Sequence, residues 1–192
     1  MRSSAASLIA ACILLTGCAE GDGTGDAETE LGSAPEAPAA SGGQPATTIH
    51  LVVGGGPHAG TYDVTSADVT CSYGYAGPGS WGNQYSVTDK GPDEFSSLQL
   101  IVPDTRDAAD GTGTFLLTVG FGSLMDPGYT EHTIDTGATL GGGTSDREHQ
   151  GSGTITVDDR GQTGKVTFSG TTGDDITLEG TIDCHRLMRS GE

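Results

Sequence analysis

Residues 153–184 read GTITVDDRGQTGKVTFSGTTGDDITLEGTIDC, and apolar residues recur in this stretch at every second position. Ile155 and Val157 share one face, Val166 and Phe168 another, and Ile176, Leu178, Gly180, Ile182 and Cys184 a third. A period of two places these side chains on one side of extended strands. The connectors Asp158-Asp159-Arg160-Gly161-Gln162 and Thr171-Thr172-Gly173-Asp174-Asp175 carry the Asp/Gly chemistry of hairpin turns. The segment therefore predicts a three-strand antiparallel meander.

Working back toward the N-terminus, the same alternation recurs. Ile49, Leu51 and Val53 form one set, ended by Gly54-Gly55-Gly56-Pro57. Val69, Cys71 and Tyr73 form a second; Leu98, Leu100 and Val102 a third; Phe115, Leu117, Val119 and Phe121 a fourth. Residues 129–134 supply a further short strand. About eight short strands and no helix predict an all-β domain over residues 47–185, with 186–192 as a tail. Strands with one apolar face pack as a two-sheet antiparallel β-sandwich or close into a small barrel.

Composition agrees. The 192 residues include 33 glycines, while only 5% are aromatic. So much glycine and so few helix formers favour strands joined by tight turns. The formal charge of −18 would repel a phosphate backbone, so nucleic acid is not an expected partner. It reads as a solvated acidic surface.

Residues 1–17, MRSSAASLIAACILLTG, join one cation, Arg2, to a short apolar run over Ala5–Leu15. That run is too short for a permanent span and reads as a cleavable signal peptide. It ends in Leu15-Thr16-Gly17-Cys18, which resembles the lipobox of bacterial lipoproteins. The resemblance implies acylation of Cys18 and cleavage before it. The product would be exported and held on membrane lipid, at the cell surface or in the periplasm, by two or three acyl chains. From Ala19 to Ala46 the only large apolar side chain is Leu31. This segment predicts a disordered tether (18–46 with the acylated Cys), with an end-to-end distance of roughly 30 Å.

Once the signal and its Cys12 are removed and Cys18 is committed to lipid, Cys71 and Cys184 are the remaining thiols. Each lies on the apolar face of its strand. In an oxidising compartment they predict a structural disulfide, the other reading being two free buried thiols. The lipobox, the tether, and the segments Asp68-Val69-Thr70-Cys71 and Thr181-Ile182-Asp183-Cys184 together resemble the LpqH-type surface lipoproteins of actinobacteria. That resemblance implies a two-sheet, disulfide-linked envelope protein without catalysis.

No catalytic set emerges. Gly-x-Ser-x-Gly is absent, and Gly79-Ser80-Trp81-Gly82 is only a partial echo of it. His50, His58, His132, His149 and His185 lack the spacing of a helical or finger-type zinc site. His50 and His132 fall on strands and read as exposed positions; His58 reads as part of a turn. Asp104, Asp107 and Asp110 share a loop without the closing Glu of an EF-hand. No cofactor or metal is expected, and the chain reads as a non-enzyme. The segment Tyr73–Tyr85 is richer, holding Tyr73, Tyr75, Trp81 and Tyr85 among glycines and amides. Such a segment offers stacking faces to a glycan, a peptide or a small apolar molecule. The competing reading has Trp81 plugging one end of the core. Burial of Trp81 distinguishes the two.

Overall fold

The computed structural model describes residues 46–138 and 150–190. The signal peptide, Cys18, the tether and His149 lie outside the described residues. Among the described residues, eleven strands form two sheets. The first has the order β2 (Gly60–Ser66), β1 (Thr47–Gly54), β10 (Thr177–Cys184), β9 (Gly164–Thr171), β8 (Ser152–Asp159). The second has the order β11 (Met188–Arg189), β3 (Thr70–Tyr73), β4 (Trp81–Ser86), β5 (Phe95–Val102), β6 (Leu116–Phe121), β7 (Thr130–Asp135). All pairings are antiparallel except β11 with β3. Neither sheet closes on itself, so of the two expected architectures the fold is the sandwich.

The core follows from the alternation. Ile49, Leu51 and Val53 of β1 and Leu178, Ile182 and Cys184 of β10 are buried from one side. Leu98, Leu100 and Val102 of β5, with Leu117, Val119 and Phe121 of β6, meet them from the other. The meander pairs as its pattern requires: Ile155 opposes Phe168, and Val157 opposes Val166. Gly180 interrupts the apolar face of β10 without leaving a hole. Phe168 stands opposite it, and a Cβ at Gly180 would lie 2.8 Å from the Phe168 ring.

Four features depart from the sequence reading. β2 and β4 are full strands where no alternation was recognised. Residues 73–85 are not one loop: they are the end of β3, a glycine-rich turn and most of β4. The acidic loop at 104–110 holds a single helical turn, α1 (Thr105–Ala109), capped by the Asp104 side chain accepting from the Arg106 amide. Finally, the expected tail re-enters the fold as β11, with the Ser190 amide donating to the Tyr73 carbonyl.

Candidate functional site

Cys71 and Cys184 form the expected disulfide, linking β3 of one sheet to β10 of the other across 113 residues of chain. Both are buried. The Asn83 amide donates to both sulfurs, at 3.1 Å to Cys71 and 3.3 Å to Cys184. Its carbonyl accepts from Trp81 Nε1 at 2.8 Å. Trp81 is itself fully buried, with its ring against Gly164 of the opposite sheet. Sulfur, amide and indole thus satisfy one another inside the sandwich. A buried amide needs such partners, because leaving it bare would cost about 1–3 kcal/mol.

The aromatic segment is therefore divided. Trp81 faces the core and offers no surface to a ligand. Tyr85 is also buried, 5.4 Å from the Phe95 ring, and burial together with the nearby Asp68 raises its phenol pKa. Tyr73 is half-buried beneath the Arg189 guanidinium, which stands 4.7 Å from its ring centroid and also bonds Asp159 and the Gly161 carbonyl. Tyr75 alone of the four remains open, at 55% exposure. Its ring lies over Gly82 on the outer face of the second sheet, where a Cβ at Gly82 would come within 2.9 Å of it. Beside it Gln84 and Gln99 stand opposite each other on β4 and β5. A small cleft lined by Tyr75, Gly82, Gln84, Gln99 and Ile101 has a free volume of about 20 Å³, room for one water. Any larger ligand would have to lie on the surface, stacked on the tyrosine.

Of the two strand histidines, His50 is exposed as its pattern predicts and His132 is not. His50 is exposed and bonds Asp63 at 2.7 Å. His132 is buried, and its ring partner is His58. The His58 ring stacks on Phe121 with centroids 4.3 Å apart, and its Nδ1 lies 3.1 Å from His132 Nε2. The outer nitrogens face carboxylates at longer range: His58 Nε2 is 3.8 Å from Asp93, and His132 Nδ1 is 3.9 Å from Asp174. Burial holds the His132 imidazole below its ordinary pKa; Asp174 opposes this and His58 adds to it. Sequence reasoning missed the pair because its members approach from different sheets, 74 residues apart in the chain.

Of the three aspartates of the acidic loop, Asp104 is engaged locally, while Asp107 and Asp110 are exposed. Asp104 caps α1 and pairs with Arg106 at 2.5 Å, which holds its carboxyl down at about 2. Among the described residues no group of three or more His, Cys, Asp or Glu side chains is arranged to hold a metal ion. No helix there is long and apolar enough to cross a membrane. No protein-family model, curated protein or solved structure matches the chain.

Proposed function

We propose that this chain is a lipid-anchored envelope lipoprotein whose β-sandwich serves, without catalysis, as a structural or recognition module outside the cytoplasm. The observation that carries the reading is the Cys71–Cys184 bond. A buried disulfide between the two sheets suits an oxidising compartment, and it agrees with the export signal read at residues 1–17. Leu15–Cys18 supplies the anchor, and a polar tether then runs to Thr47, where β1 begins. The decisive experiment is detergent-phase partitioning of the chain expressed in a bacterial host, with mass analysis of its N-terminal peptide. The wild type should enter the detergent phase with a diacylated or triacylated Cys18, and Cys18→Ala should stay aqueous. A wild-type chain in the aqueous phase with an unmodified Cys18 would refute the anchor.

One observation favours a narrower, ligand-binding reading. Tyr75 presents a free ring face beside the Gln84 and Gln99 amides, the combination that stacks on a sugar ring and bonds its hydroxyls. Titrating soluble cell-wall glycan into the ¹⁵N-labelled domain tests it. Binding should shift the Gln84 and Gln99 side-chain amides and vanish in Tyr75→Ala; unchanged spectra at millimolar glycan would leave the structural role.

A further inference from the structure

The His58–His132 pair belongs to neither reading, and its geometry is that of a proton site. Both rings are about 95% buried, at 4% and 5% side-chain exposure. The four groups Asp93, His58, His132 and Asp174 form a line that passes from one sheet to the other at every link. Asp93 lies in the β4–β5 loop and His58 in the β1–β2 turn; His132 lies on β7 and Asp174 in the β9–β10 turn.

Consider where protons can sit. Only one fits between His58 Nδ1 and His132 Nε2 at 3.1 Å. When both rings are neutral, one outer nitrogen carries a hydrogen and the other presents a lone pair to a carboxylate. Neither arrangement suits the two flanking aspartates. One added proton resolves the mismatch. The inner hydrogen bond stays, both outer nitrogens become donors, and a single positive charge lies between two negative ones. A second proton would set two N–H groups against each other inside the sandwich. His132 Nδ1 is buried and without a hydrogen-bond partner among the described residues.

We propose that His58 and His132 act as one acid-sensing unit that takes up a single shared proton from solvent, with Asp93 and Asp174 as its counter-charges across the two sheets. The other neighbours do not replace these two. From β2 the Tyr62 hydroxyl donates to the His58 carbonyl at 2.8 Å, and burial, with Asp93 adding to it, raises the pKa of that tyrosine. From β6 comes the uncharged Phe121 ring. On β7 Glu131 is occupied by the Tyr129 hydroxyl. Lys90 and Glu94 share the loop of Asp93, and Asp175 follows Asp174. Burial disfavours the charged form and holds His132 below its ordinary imidazole pKa.

The test is ¹⁵N–¹H NMR titration of the histidine rings in the full-length chain from pH 8 to 4. His58 and His132 should move together in one step, with a combined change of one proton. Asp93→Asn and Asp174→Asn, both at exposed positions and the second keeping an acceptor for the Thr172 hydroxyl, should each lower that midpoint by ~0.3–0.7 pH unit. The His185 curve should stay in place. Two separate steps, each of a full proton, would overturn the proposal. So would a midpoint indifferent to both aspartate variants.

Discussion

Asn83 occupies an inward-facing position of β4, where alternation calls for an apolar side chain. Its amide is matched there by three partners: its NH2 donates to two sulfurs, and its carbonyl accepts from the Trp81 N–H, which requires an acceptor. Asn83→Ala would strand the indole N–H in the core and open a small void. The expected loss is about 2–4 kcal/mol, read as a lower urea midpoint at unchanged slope. Asn83→Asp keeps the acceptor but buries a charge beside two sulfurs, so it should be at least as damaging. Asp104 makes the contrasting case at the surface. Its folded pKa, down at about 2, lies below the unfolded value near 3.9, so its contribution is present above about pH 4 and is lost as pH falls toward 2. Asp104→Asn keeps an N-cap acceptor while removing that titration. The protection of the Arg106 amide, taken relative to its intrinsic exchange rate, should then lose its dependence on pH between 4 and 2, whereas Asp104→Ala should expose that amide at every pH. Equal pH dependence in wild type and Asp104→Asn would place the effect elsewhere.

Among the elements, the disulfide joins strands that pack from opposite sheets and share no backbone hydrogen bonds. Its absence would release a loop of more than a hundred residues in the unfolded chain. Chain entropy alone makes that worth up to about 4–5 kcal/mol. Reduction should therefore lower the urea midpoint sharply. Cys71→Ala/Cys184→Ala should fall at least as far, because Asn83 then loses both acceptors; a double variant as stable as wild type would contradict this account. What was legible in the sequence follows the same physics. β8, β9 and β10 were readable because each buries one face with apolar side chains only, between turns rich in Asp and Gly. β4 was not readable, since Asn83 breaks its pattern between Trp81 and Tyr85 for the sake of a disulfide reached only through the tertiary fold. β2 was hidden for a different reason: as an edge strand it contributes only Tyr62 and Val64 to the core, too few to set a period. The Cys71–Cys184 pairing was within reach because the reading of residues 1–17 as a cleaved signal and of Cys18 as acylated left these two thiols no other partner. The His58–His132 contact had no local signature at all. A histidine in a glycine-rich turn and another on a strand gain their meaning only when Phe121 gathers them between two sheets.

For the molecule as a whole, charge and fold pull against each other. The chain carries a formal −18, and two of the ion pairs among the described residues are short-range contacts at the surface. Arg106 with Asp104 and Arg160 with Asp158 span two residues each, are largely exposed, and would form equally well in a partly unfolded chain. Pairs of that kind contribute little to net stability. Repulsion among the remaining carboxylates acts on the compact state and extends over a Debye length, about 30 Å at 0.01 M salt and 10 Å at 0.1 M. Repulsion therefore outweighs attraction at low salt, and screening should stabilise the domain. Raising sodium chloride from 10 to 200 mM at pH 7.5 should increase Tm by roughly 3–5 °C, equivalent to about 1 kcal/mol for a domain of this size. Sodium chloride is the proper probe, since sulfate would also strengthen apolar burial and blur the cause. A Tm that falls over the same range would mean that Arg189–Asp159 and the other ion pairs hold the sandwich more strongly than its acidic surface pushes it apart.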